Sequence, residues 1–279
     1  MAVRIVTDSS CDLPEEVTNE LGIEVVPLTE RFGDEEFVDR VDLSVSEFYA
    51  KMASSSDLPQ TAAPAPGAFE DAFRKCAAEG ADAVVCINLS AQLSATMQSA
   101  QTAAKALEGA LDVRVVDSRS VTLGLGSMVQ WAAEAARDGM AADGIVADVE
   151  SQAQRQRIWA TLDTLDNLKK GGRIGGAKAL VAGLLSIKPA IELHKGVVEE
   201  AAKPRTRGKA LRWLADRLLE DPVVEKLCVV HGEAPDIDEF LGLIATKYGP
   251  DDYTVGLIGP VIGAHGGARV LGVTYQVPA

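Results

Sequence analysis

Polar and apolar positions along this chain follow two periods in turn. Short apolar-rich runs at 3–6, 23–28, 83–89 and 113–116 alternate with stretches at 14–21, 44–52, 66–78, 94–107 and 123–136, where apolar residues recur every three to four positions. The runs predict buried strands, and the three-to-four spacing predicts the helices that cover them. Strand and helix in alternation predict βαβ units and a parallel sheet, here an N-terminal Rossmann-like domain. After an Ala- and Asp-rich helical stretch ending near Gln156 the pattern changes. A strand at 158–161 leads into a Gly-rich turn, and a hairpin runs from 188 through Lys195-Gly196 to 202. A helix at 207–219, a strand at 227–231, a helix at 237–247 and strands at 254–258 and 270–277 complete the pattern. It predicts a C-terminal α/β domain with a mixed or antiparallel sheet. The division is drawn at 1–150 and 151–279, which suits 279 residues when one domain usually takes roughly 100 to 200. Thr61-Ala-Ala-Pro-Ala-Pro-Gly67 predicts a stiff loop entering a helix, because proline fixes φ.

Composition narrows the functions open to such a fold. With 47% hydrophobic, 24% charged and 5% aromatic residues, the core is built on aliphatic side chains. A formal net charge of -14 sets up a field that repels phosphate backbones and anionic membrane surfaces, which excludes nucleic acid as a partner. Lys or Arg beside glycine therefore carries more weight here than in a basic protein. Cys11, Cys76, Cys86 and Cys228 show no C-x-x-C spacing and no nearby His cluster, so neither a metal site nor a disulfide framework is expected. Free thiols, an N-terminus that enters a strand directly and no run of ~18 apolar residues predict a cytoplasmic protein without a membrane span. Transient contact with a membrane stays open.

Four polar segments are candidates for chemistry. Thr7-Asp8-Ser9-Ser10-Cys11-Asp12 lies where the first strand runs into its helix, the end at which α/β sheets bind ligands. Equally, Ser10 or Asp12 caps the helix at Pro14 while Asp8 ties down the turn. Asn88-Leu-Ser90 through Ser94-Ala-Thr96 repeats the arrangement, with hydroxyls at a helix start where N–H groups and the helix dipole favour an anion. Leu168-Lys-Lys-Gly171-Gly172-Arg173 is a cationic glycine loop whose arginine can hold a carboxylate in a two-pronged fork or bridge an acidic side chain. In Ile258-Gly-Pro-Val-Ile-Gly263-Ala-His265, small neighbours leave an imidazole accessible. No G-x-G-x-x-G and no Walker loop occurs, so nucleotide cofactors are not expected.

In order, Thr7-Asp8-Ser9, Thr61-x-x-Pro64-x-Pro-Gly67, Leu93-Ser94-x-Thr96 with Gln98-Ser99-Ala100, Asp117-Ser118, Gly171-Gly172-Arg173-Ile174, Ile187-Lys188-Pro189 and Gly263-x-His265 resemble the DegV family of bacterial fatty-acid-binding proteins. The resemblance implies an N-terminal parallel α/β domain, a C-terminal α/β domain and one long-chain fatty acid between them. It implies that residues matching Thr61 and Ser94 hold the carboxylate, that Arg173 and His265 complete the polar end, and that Asp8, Ser9, Thr96 and Gly172 support it. It further implies a carrier with no cofactor and no catalytic residue, which presents the acid to the ATP-binding subunit of a fatty-acid kinase. Arg205 and Arg207 would then be candidates to meet an acidic partner face. Ala62, Ala63 and Ala95 depart from the family pattern. Two other classes compete: a hydrolase using Ser94 or Ser9 with His265 and Asp8 or Asp117, and a sensor of a small anionic ligand. The hydrolase lacks a G-x-S-x-G elbow.

Overall fold

The computed structural model describes residues 2–181 and 187–278. In chain order its elements begin with β1 (Val3–Asp8), α1 (Glu15–Leu21), β2 (Glu24–Val26), β3 (Thr29–Phe32), β4 (Glu35–Val38), α2 (Val45–Ser54) and β5 (Gln60–Ala62). They continue with α3 (Pro66–Ala78), β6 (Ala83–Asn88), α4 (Thr96–Ala106), β7 (Asp112–Asp117), α5 (Thr122–Arg137) and α6 (Ala142–Arg155). The rest are β8 (Gln156–Thr161), α7 (Asp166–Lys170), β9 (Ala190–His194), β10 (Val197–Ala202), α8 (Arg207–Glu220), β11 (Glu225–His231), α9 (Ile237–Ile244), β12 (Tyr253–Leu257), α10 (Pro260–Gly266) and β13 (Leu271–Gln276).

The first unit comprises residues 1–29 and 61–154. Its sheet is parallel throughout, in the order β2-β1-β6-β7. The residues of β6 are all buried, as expected for a parallel strand covered on both faces. Phe69, Phe73 and Cys76 of α3 and Ala100 and Ala103 of α4 form a core with Val6, Val84 and Cys86. Gly126 of α5 lies so close to the Ser9–Cys11 turn that a Cβ there would come 2.5 Å from the Cys11 carbonyl oxygen. Val6 pairs with Glu24 on one side and Cys86 on the other, so the chain leaves β1 in one direction and returns in the opposite one. Such a reversal, here at the carboxyl ends of β1 and β6, is where open α/β sheets generally take their ligands.

The second unit comprises 30–60 and 155–279. Its six-stranded mixed sheet has the order β10-β9-β8-β13-β11-β12, with β13 antiparallel to β8 and β11 and β11 parallel to β12. Lys195 and Gly196 both take positive φ, 49° and 83°, the geometry that lets a two-residue turn follow the strand twist of the β9–β10 hairpin. Leu211, Leu214 and Leu218 of α8 and Phe240 and Ile244 of α9 bury one sheet face with Leu227, Val229, Leu271 and Val273.

Residues 30–60, which the linear division assigned to the N-terminal domain, belong to this second unit. The reason is aromatic burial: Phe32, Phe48 and Tyr49 form one cluster with Ala264 of α10, and the Tyr49 hydroxyl donates to the Ile258 carbonyl at 2.9 Å. Ser44 starts α2 with a capping box, its oxygen accepting from Glu47 N while the Glu47 carboxylate accepts from Ser44 N. The short β3, β4 and β5 form a separate sheet in the order β4-β3-β5.

Two carboxyls are buried in this segment. Glu30 and Asp39 are 1% and 2% exposed, and burial followed by the nearby Asp39 charge raises the Glu30 pKa well above the carboxylate range. A folded-state pKa raised above the unfolded value of 4.5 means the folded protein keeps a proton the unfolded chain releases. Stability is therefore full below that value and falls as pH rises through the folded-state pKa. Glu30→Gln is expected to flatten this decline, raising the urea midpoint at pH 8 while changing little at pH 4. Parallel pH dependence in the two proteins would refute the raised Glu30 pKa.

Candidate functional site

At the reversal point of the first sheet, Asp8 is fully buried and accepts four hydrogen bonds. The donors are Ser10 N (3.1 Å), the Ser10 hydroxyl (2.5 Å), Asn88 Nδ2 (3.1 Å) and Leu89 N (2.9 Å). Burial raises the Asp8 pKa against the opposing pull of these donors. Ser9 Oγ accepts from Leu28 N at 3.0 Å. Asp8 and Ser9 thus brace the strand ends: Asp8 caps the short Ser9–Cys11 turn, whereas α1, preceded by Pro14, has no side-chain cap, so the cap expected from Ser10 or Asp12 is not formed.

Beside them the β6–α4 loop is held by Ser90 N donating to Ser120 O (2.9 Å) and by Leu93 N and Ser94 N donating to Ser90 O (3.0 and 3.3 Å). Ser94 Oγ lies 2.9 Å from Thr96 Oγ1 and accepts from Thr96 N at 3.3 Å. The helix expected from 94 therefore begins at Thr96, with Ser94 half-buried before it and Thr96 buried. Asp117 accepts from Ala91 N (3.2 Å) and Arg119 N (2.8 Å), which fixes the neighbouring loops. Thr61 stands half-buried in β5.

In the second unit, Arg173 and His265, far apart in sequence, meet on Gly171. A Cβ on Gly171 would collide with His265 Nδ1, and Arg173 Nη1 donates to the Gly171 carbonyl at 2.7 Å. Gly171 N in turn donates to Asn167 O at 2.8 Å, closing α7. Gly172 has φ +73° with open space where a Cβ would stand, so it is needed for backbone conformation rather than for room. The segment around His265, expected only as a small-residue stretch, is the short helix α10, started by Pro260 at its first position. Burial, then the Arg173 cation, lowers the His265 pKa to about 4. At neutral pH the imidazole is uncharged and the guanidinium carries the positive charge. A neutral donor beside a cation suits a carboxylate.

Sequence reasoning missed Tyr49 and Asn167. Tyr49 lies against Gly232 and Gly263, where a Cβ would come 2.5 Å from its hydroxyl. Asn167 Nδ2 donates to Ala264 O at 3.0 Å. The glycines were visible, but nothing local says which aromatic fills their space. Arg207 also differs from expectation: Nε and Nη2 grip Asp236 at 2.7 and 2.9 Å, lowering the Asp236 pKa, and the Arg207 side chain is 13% exposed. It is committed within the fold and is not a free docking cation. Asp163 continues the network to Lys188 (3.1 Å) and Arg269 (3.4 Å), whereas Arg205 is exposed. Among the described residues no metal-binding cluster occurs, and no helix is long and apolar enough to cross a membrane.

Comparison with known proteins agrees with this architecture. A family model described as an uncharacterised protein of the DegV family matches residues 2–277. A DegV domain-containing protein of Streptomyces coelicolor is 37% identical over 280 residues, covering 98% of each chain. Among solved structures, a DegV family protein from Thermus thermophilus described by its fatty acid binding superposes with a TM-score of 0.90 at 30% identity, covering 99% of this chain and all of the other. A stearic acid-binding protein from Eubacterium ventriosum superposes at 0.88 with 26% identity over 98% of both chains. By a match running nearly from end to end, this chain belongs to the DegV family.

Proposed function

We propose that this protein binds one long-chain fatty acid and acts as a carrier, presenting the acid's carboxylate to a partner kinase that forms the acyl phosphate. The observation that carries the reading is the seating of Arg173 and neutral His265 together on Gly171, in a chain whose structural relatives are described as fatty acid binding. In this reading Thr61 and Ser94 supply hydroxyls from the first unit, and Arg173 and His265 supply the guanidinium and imidazole of the second. Asp8, Ser9, Thr96 and Gly172 shape the loops that carry them. The acyl chain contributes affinity, about 0.8 kcal/mol for each buried methylene before binding costs. The head group fixes orientation, because a buried carboxylate without donors would cost several kcal/mol.

Against the hydrolase alternative, Asp8 already accepts four hydrogen bonds within its own loops, which disfavours it as the acid that would steer His265 in a triad. The test is organic extraction of the purified protein followed by mass spectrometry. Unmodified long-chain fatty acid near one per chain is expected, and protein from bacterial expression that releases none would overturn the reading.

A further inference from the structure

Between the two groups proposed to meet the carboxylate stands a residue that neither sequence pattern nor family resemblance singled out. Asn167, 7% exposed at the first turn of α7, bonds in two directions. Its main-chain oxygen accepts from Gly171 N at 2.8 Å, the residue on which the Arg173 guanidinium rests. Its side-chain Nδ2 donates at 3.0 Å to the carbonyl of Ala264, the residue immediately before His265. The end of α10 is shaped around the same side chain: at Gly267, with φ +79°, a Cβ would come 3.2 Å from Asn167 Oδ1. Gly171 itself must lack a side chain because the His265 ring occupies that space.

From this geometry we infer that Asn167 is a positioning residue, which sets the His265 imidazole against the Arg173 loop without touching the ligand. The inference rests on the proposed function for its consequence and on the structure for its cause. The bond to Ala264 O fixes where α10 ends along α7, and the bond to Gly171 N fixes where the glycine loop begins. With the amide removed, α10 loses the bond that anchors the Ala264 carbonyl to α7, and the imidazole can move away from Gly171 into water. Asn suits the position because it offers a donor to one helix and brings no charge beside Arg173. An aspartate would aim a carboxylate at the Ala264 carbonyl.

The depressed His265 pKa supplies a readout that a merely structural role would leave alone. Its causes are burial first and the Arg173 cation second, and both depend on where the ring sits. The experiment compares Asn167→Ala and the apolar, equally branched Asn167→Leu with the parent protein, and with Ile244→Ala as a control that lowers stability from a buried position in α9. His265 is titrated by NMR, and hexadecanoate affinity is measured on delipidated protein. In both Asn167 variants the imidazole midpoint should rise from about 4 towards its ordinary 6.5. The dissociation constant should increase roughly three- to tenfold, the scale of one hydrogen bond. Ile244→Ala should melt earlier with both readouts unchanged. An unmoved His265 midpoint in two folded Asn167 variants overturns the inference. If parent protein binds no hexadecanoate, the proposed function fails, yet the titration still decides whether Asn167 positions the ring.

Discussion

Arg173→Ala is expected to raise the dissociation constant for a long-chain fatty acid by roughly thirtyfold or more, the scale of 2 to 5 kcal/mol for truncating one member of a desolvated charge pair. The size follows from the electrostatics of the site. His265 is neutral at physiological pH, so in the proposed site a formal charge to answer the carboxylate would come from the Arg173 guanidinium, held by its bond to Gly171 O. Without it the acid must protonate or remain an ion with only hydroxyl and imidazole donors. Arg173→Lys keeps the charge but not the fork, and should fall between alanine and parent. Ser94→Ala removes one neutral hydroxyl and should cost about fivefold, near 1 kcal/mol. Lipid retained after purification and equilibrium affinity on delipidated protein measure the effect. Unchanged lipid content and affinity in both Arg173→Ala and Ser94→Ala would remove these residues from the site. Tail burial does not mask the result, because it contributes equally to every variant.

Much of the fold was legible because local pattern and global arrangement agree. Strands 3–6 and 83–89 read as buried parallel strands because they are apolar on both faces, and β1 and β6 are. The Lys195-Gly196 turn announced its hairpin through Gly196, which takes positive φ without steric cost, although Lys195 takes one too. What was not legible depends on partners distant in sequence. Residues 30–60 follow the first βαβ unit directly, so the linear reading kept them there. Their assignment is decided by Phe48 and Tyr49 meeting Ala264, and the periodicity of 44–52 shows an apolar face without saying what it covers. The three short strands β3 to β5 were missed because each runs only three or four residues and one inward position of β3 is the charged Glu30, which hides the apolar alternation.

The site divides in the same way. Chemistry-bearing residue types stood out against an acidic chain, and Arg173 and His265 do lie together on Gly171. Asp8 and Ser9 also stood out, yet their polar atoms are turned to main-chain and side-chain donors of the unit's own loops. Position at a strand end cannot tell a ligand contact from a brace, because both place a polar residue where the backbone runs out of partners. Arg207 was misread for a related reason. A cation near a helix start looks free in a sequence, and Asp236, which holds it in two bonds, lies on another segment. Asn167 had no signal at all, since one asparagine in a five-residue helix is ordinary until Ala264 is seen beside it.

The bracing role of Asp8 predicts the largest loss of stability from a single side chain. Asp8→Ala should leave Ser10 N, the Ser10 hydroxyl, Asn88 Nδ2 and Leu89 N as buried donors at the point where β1 and β6 separate. Each orphaned group costs about 1 to 3 kcal/mol, so even partial relief by water leaves a deficit of roughly 4 kcal/mol. That is a large share of the roughly 5 to 15 kcal/mol by which domains are stable. Asp8→Asn should be milder, because one oxygen can still accept, but its NH2 must then face a donor it cannot satisfy. The expected order of urea midpoints is parent, asparagine, alanine, with ligand retention falling alongside because Leu89 and Ser90 begin the loop that carries Ser94. Should Asp8→Ala keep the parent midpoint while losing only fatty acid, the carboxylate would be a ligand contact and not a brace. The hydrogen bonds to Leu89 and Asn88 would then have to be dispensable to the fold.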